Sequence, residues 1–139
     1  MAQITPYLHF DGNCRDGMTF YQECLGGNLV CQTVGDTPAA EHMPAEARQK
    51  IIHAALTKDG MTLLASDMLG PGGLTRGNSV SISLLCTSEE EVKTLFSKLS
   101  AGGNVTNPLA DQFWGAIFGT LTDKFGFHWM LNYDKSQPK

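Results

Sequence analysis

The sequence predicts an α+β fold of two βαβββ modules forming a curved, mostly antiparallel sheet, and three observations carry that reading. The first is a weak internal repeat. Phe20, Gly26, Gly27 and Asn28 recur 76 positions later as Phe96, Gly102, Gly103 and Asn104, while Lys58 and Gly60 recur after only 66, as Lys124 and Gly126. The second is the period-2 alternation of short apolar-polar runs around two segments of helical period. The third is size: 139 residues, 42% hydrophobic, are enough for one core and too few for two full-sized domains. A single domain over 1–139 is expected, with module one at about 1–70 and module two at about 77–133. The glycine-rich Gly70-Pro71-Gly72-Gly73 would link them.

The elements follow in order. Thr5 to Phe10 alternates as a strand, and Asn13 is placed to cap a helix whose Cys14, Met18, Tyr21 and Leu25 make one apolar face. Gly26-Gly27 ends that helix, and a strand from Asn28 to Val34 follows. The ten extra residues of the first half fall within Thr37 to Lys50, which reads as a loop or short surface helix. A hairpin then closes at Asp59-Gly60. In the second half Val80, Ile82 and Leu84 alternate with Ser79, Ser81 and Ser83 as a strand. Ser88 with Glu91 makes a capping box before Val92, Leu95, Phe96 and Leu99, and the Glu89-Glu90-Glu91 run complements the helix dipole. Gly102-Gly103 ends this helix, a strand forms around Val105, and a hairpin closes at Asp123-Lys124-Phe125-Gly126. One helix covers only one face of a four-stranded sheet, so two halves can curl into a cup.

Composition removes several classes of partner. Net charge is −4 and no basic run interleaves with aromatics, which argues against nucleic acid and anionic membranes. No stretch approaches the roughly 18 apolar residues of a spanning helix, and MAQITPYLHFDGN does not read as a secretion signal. The expected compartment is cytoplasmic. Cys14, Cys24, Cys31 and Cys86 form no CxxC pair and read as reduced, partly buried thiols.

Several short motifs in this order resemble one family. They are Pro6-Tyr7, Phe10-Asp11-Gly12-Asn13-Cys14, Phe20-Tyr21 with Leu25-Gly26-Gly27, His53-Ala54, Ser66-Asp67, Phe113-Trp114-Gly115, and Asp123-Lys124-Phe125-Gly126 with Trp129-Met130. Together they resemble the PhnB-like branch of the glyoxalase/bleomycin-resistance, or vicinal oxygen chelate (VOC), superfamily over about Ile4 to Asn132. The resemblance implies paired βαβββ modules, usually in a homodimer, that isomerise, cleave or sequester small molecules. Some relatives carry a methyltransferase name, yet no strand here is followed by a GxGxG turn with an acidic partner. Metal-dependent members take one ligand from the first and last strand of each module. Here those positions fall at Pro6 or Thr5, Leu64, Ile82 or a flanking serine, and Met130. Pro, Leu and Met offer no hard oxygen or imidazole nitrogen, so no metal and no cofactor is expected.

Register supplies candidates for a pocket. A two-residue Asp59-Gly60 turn sets Thr57 against Thr62, Ala55 against Leu64 and His53 against Ser66 on one face, with Met61, Leu63 and Ala65 toward the helix. Parity in the second half puts His128, Met130 and Asn132 on the matching face and Trp129 and Leu131 under the helix. The candidate ligand-binding residues are therefore His53, Thr62, Ser66, His128 and Asn132. Each histidine reads equally as a hydrogen-bonded structural residue. His9 either joins the face or is simply exposed, and Ser66 either orients a ligand or satisfies the turn that follows. Asp67 reads as a loop acceptor, Asp123 as a turn residue, and alternation places Trp114 with Phe118 in the core. The first functional expectation is a metal-independent small-molecule binder acting as a homodimer, its cup formed within one chain or between two. The alternative is an enzyme using a histidine as general acid/base on a small carbonyl or aromatic metabolite, in lyase, isomerase or dioxygenase-type chemistry.

Overall fold

The computed structural model describes residues 2–38, 41, 45–68 and 73–135. In chain order these form β1 (Tyr7–Phe10), α1 (Cys14–Leu25), β2 (Asn28–Thr33), two 3-10 turns (Val34–Asp36 and Ala45–Gln49), β3 (Ile51–Lys58) and β4 (Met61–Asp67). Then come β5 (Ile82–Cys86), α2 (Glu89–Ser100), β6 (Asn104–Asp111), β7 (Ala116–Thr122) and β8 (His128–Asp134). The chain divides into two compact units, Met1–Thr75 and Arg76–Lys139. Each holds one four-stranded sheet, ordered β1-β4-β3-β2 in the first and β5-β8-β7-β6 in the second. The first strand of each module runs parallel to its last and the other neighbours are antiparallel. This is the βαβββ order that the repeat predicts, present twice. The linker residues 70–72 and much of the insert, residues 39–40 and 42–44, lie outside the described residues.

In the first unit α1 packs against one face of all four strands. A 12-residue helix is marginal alone, so this packing holds it. Met18 and Tyr21 lie fully buried with Phe10 and Leu56 from the sheet, each such side chain contributing about 1.5–3 kcal/mol. Gly17 makes the fit possible, since a Cβ there would stand 2.2 Å from the Phe10 ring. The cap differs from expectation: Asn13 occupies the N-cap position but its side chain makes no cap bond. Asp67, only 4% exposed at the end of β4, does that work instead. Its carboxylate accepts the backbone N–H of Cys14 at 2.9 Å and that of Ile51 at 2.8 Å, tying α1 to β3.

The repeated Gly-Gly and Lys now have a cause. Gly26 has φ 79° and Gly102 φ 75°, a region that L side chains rarely adopt. A Cβ on Gly27 would meet the Thr57 carbonyl oxygen at 2.6 Å, and one on Gly103 the Thr122 oxygen at 2.3 Å. Lys58 donates to the Leu25 carbonyl at 2.9 Å, completing the C-terminus of α1, and Lys124 lies beside Gly102. Asp59 and Gly60 both have positive φ, and the register Thr57↔Thr62 and Ala55↔Leu64 is the one the two-residue turn predicts.

The second unit repeats the plan, with Trp129, Leu131, Leu121 and Val92 in its core. Ser88 caps α2 by accepting the Glu91 N–H, but Glu91 reaches the Thr87 N–H, one residue before the cap. Two expectations fail here. The strand begins at Ile82 rather than Ser79, and Val80 is 77% exposed. Trp114 is 52% exposed rather than core, because Phe113-Trp114-Gly115 forms the turn between β6 and β7, closed by Gln112 N–H on Ala116 O. A turn resets strand parity, so counting through it misplaces the side chain. Phe118, 6.4 Å from the Trp114 ring, pairs with Asn132 on the face away from α2.

Candidate functional site

In each module one sheet face lies under the helix and the other is free of it. On the free face of the first module the structure brings His53 together with two residues from β1. Tyr7 pairs with Leu64 and His9 with Ser66, which sets the Tyr7 ring 5.2 Å from the His9 ring and 6.4 Å from the His53 ring. His53 and His9 are exposed, and Ser66 is half-buried. Thr62 shares the face but lies four residues along β4 from Ser66, about 13 Å away. Tyr7 escaped the sequence reading because the parallel pairing of β1 with β4 sets its position. The alternation Tyr7-x-His9 was the available signal.

On the free face of the second module Asn132 sits between Leu85 and Phe118, and Met130 between Ser83 and Thr120. His128 is at the far end of β8, opposite Thr122. Both its ring nitrogens are engaged: Nδ1 is 2.9 Å from Thr122 Oγ1, and Nε2 is 3.1 Å from the Gly77 carbonyl oxygen. A carbonyl only accepts, so Nε2 carries the proton in that bond. His128 thereby fastens the segment before β5 to the sheet.

A polar cavity of about 300 Å³ lies elsewhere, at the start of α1, lined by Gly12, Asn13, Arg15, Asp16, Gln49 and Lys50. None of the five candidate residues lines it. Near it burial, reinforced by the Asp67 carboxylate, pushes the Cys14 thiol up to about 12. Burial likewise pushes Cys86 up to about 12, with Glu91 adding to it. On the surface, hydrogen bonds from the Thr33 side chain and backbone hold the Asp36 carboxyl below its ordinary value, and a hydrogen bond from Lys93 does the same for Glu89.

On the first and last strands Tyr7 stands beside Leu64 and Ser83 beside Met130, with Thr5 and Pro6 just before β1. A phenol, a hydroxyl, a thioether and an alkyl group do not make a divalent-cation shell. Among the described residues no three His, Cys, Asp or Glu side chains gather to hold a metal. The superfamily's chelate does not fit here, and no step is derived through one.

A paired βαβββ module is the glyoxalase/bleomycin-resistance architecture. A glyoxalase-related enzyme from Fulvimarina pelagi shares this fold at TM-score 0.65 and 19% identity, over 99% of this chain and 92% of its own. The chain belongs to the PhnB-like branch of that superfamily: the family described as 3-demethylubiquinone-9 3-methyltransferase matches residues 2–132. Protein YjdN of Escherichia coli K12 is 34% identical over 97% of both chains. Protein PA1353 from Pseudomonas aeruginosa superposes with TM-score 0.84 at 42% identity, over 96% of this chain and 98% of its own. A putative 3-demethylubiquinone-9 3-methyltransferase, PhnB protein, from Bacillus cereus does so with TM-score 0.74 at 27% identity, over 95% and 99%. No helix of the described residues is long and apolar enough to cross a membrane.

Proposed function

We propose that this chain is a cytoplasmic, metal-independent small-molecule-binding protein, one VOC domain made of the two modules and acting as a homodimer. The ligand lies on the helix-free sheet faces, with His53, Thr62 and Ser66 from the first module and His128 and Asn132 from the second. His128 takes part through its ring edge, since its nitrogens are engaged within the chain. The observation that carries the reading is the first module's free face, where Tyr7, 41% exposed, and Val30, 59% exposed, accompany two exposed histidines. Apolar and imidazole groups left together in water on a rigid sheet suit a ligand better than a core. No nucleic acid or membrane partner enters the proposal, and no cofactor. Methyl transfer is not carried over from the family's description, because no GxGxG turn follows a strand.

One observation favours a second reading, in which His53 acts as general acid/base on a small carbonyl or aromatic metabolite: the Tyr7 phenol stands beside it. Thermal unfolding of the intact protein against a metabolite library tests both. A ligand selective for the native state adds about 2.7 kcal/mol at a hundredfold excess over its Kd. That gain should fall in Ser66→Ala and His53→Ala, and turnover of the hit would select the enzyme reading. A library that never raises the midpoint counts against the ligand site, and a clean monomer in sedimentation at micromolar concentration counts against the dimer.

A further inference from the structure

On the helix-free face of the first sheet the side chains fall into rows that cross the strands. Gln32 pairs with His53, and Ser66 with His9. The β3–β4 ladder ends at Ala54↔Ala65, and His53 and Ser66 stand one residue beyond that pair on the helix-free face. Gln32, His53, Ser66 and His9 thus form one row, one residue from each of β2, β3, β4 and β1. Two residues along each strand, about 6.7 Å away, the pairs Val30↔Ala55, Ala55↔Leu64 and Leu64↔Tyr7 make an apolar row. The next row turns polar again with Asn28, Thr57 and Thr62.

The charge pattern of this face is one-sided. Every side chain in the first row can donate a hydrogen bond, through an amide, an imidazole or a hydroxyl. None of the three rows contains a carboxylate. The nearest along the chain, Asp67, follows Ser66 but is buried on the helix side, where its carboxylate accepts the Cys14 and Ile51 N–H groups; Asp11 lies past the end of β1. An anionic head set on the first row lies among donors of neighbouring strands with no like charge in the row, while an attached apolar body rests on Leu64 and Ala55 beside the Tyr7 ring. A cationic head would find no charged acceptor there.

We infer that the first module recognises an organic carboxylate with an apolar body, its head on the Gln32–His53–Ser66–His9 row and its body on the Tyr7–Leu64–Ala55 row. This rests on the reading of the face as a ligand site. Arg15 and Lys50 at the α1 cavity form a separate cationic locus, so the readout must be the histidine rings themselves.

The intact protein is titrated at neutral pH with naphthalene-2-carboxylate, its neutral carboxamide and the 2-naphthylmethylammonium cation, following the imidazole C2–H resonances. The carboxylate is expected to move the His9 and His53 signals saturably and bind about tenfold tighter than the carboxamide. That is the effect of ~1.4 kcal/mol from charge-assisted hydrogen bonds. The ammonium should not bind. The double variant His9→Gln, His53→Gln changes exposed side chains, and its unfolding midpoint verifies that it folds. It should bring the carboxylate down to the affinity of the carboxamide. Equal binding of carboxylate and carboxamide, or binding of the ammonium, overturns the inference and leaves the ligand face standing. Silence of both rings toward all three probes overturns the inference and the ligand face with it.

Discussion

Replacing Asp123 by asparagine changes one oxygen in the second module's core. Asp123 is 3% exposed; its Oδ1 accepts the N–H groups of Phe125 at 2.8 Å and Phe127 at 3.1 Å, and its Oδ2 accepts the Trp129 indole N–H at 2.8 Å. Asparagine keeps an acceptor for the turn but sets an NH2 group against the indole N–H, donor facing donor. Trp129 is 2% exposed, so water cannot replace the lost acceptor. A buried donor without a partner costs about 1–3 kcal/mol, and two turn bonds reduced from charged to neutral add roughly 1 more. Asp123→Asn should therefore cost about 2–4 kcal/mol. Asp123→Ala also strips the acceptor from the half-exposed turn N–H groups, which regain some water, and should cost about 3–4. Urea unfolding followed by tryptophan fluorescence in a Trp114→Phe background makes Trp129 the sole reporter of this module. A double-mutant cycle with Trp129→Phe, read by far-UV circular dichroism, isolates the pair. An asparagine variant within about 0.5 kcal/mol of the parent, or a cycle with no coupling, would refute the reasoning.

Asp67→Ala should lower stability by about 2–5 kcal/mol, since it orphans the Cys14 and Ile51 N–H groups, and native-state amide exchange at those two sites should accelerate most. Protein purified without a histidine tag is expected to hold no stoichiometric metal, and chelator to leave its melting temperature unchanged. Elemental analysis finding about one zinc, nickel or manganese per subunit, lost together with stability, would revive a metal mechanism. With folded-state values raised from 9.0 to about 12, Cys14 and Cys86 stay protonated in the native protein while an unfolded chain would ionise. Their contribution is full below pH 9 and fades as pH rises from there toward 12, so the urea midpoint should fall over that range, less so in Cys14→Ala, Cys86→Ala. A midpoint flat across that window would contradict the assignment.

What the sequence discloses about this fold depends on how local the cause is. The Asp59-Gly60 register and the Gly-Gly helix ends follow from conformational rules acting over a few residues, and the structure agrees with the expectation at each. Asn13 has the right side chain in the right place, yet Asp67, 53 residues beyond Cys14 in sequence, takes the cap by accepting the Cys14 N–H. Trp114 was misplaced by a turn that interrupts alternation, and β6 slips register twice against β7. The candidate site shows the same division. His53 and His128 look alike as sequence, each on the helix-free face of a strand by parity. The parallel β1–β4 pairing brings Tyr7 and His9 to His53, leaving it exposed among groups that a ligand can meet. Gly77, 51 residues before His128, takes one of its nitrogens and Thr122 stands against the other. The two modules share a fold by repetition, but only the first keeps its histidine free of such internal bonds. The chemistry of the proposed site therefore concentrates on the Gln32–His53–Ser66–His9 row.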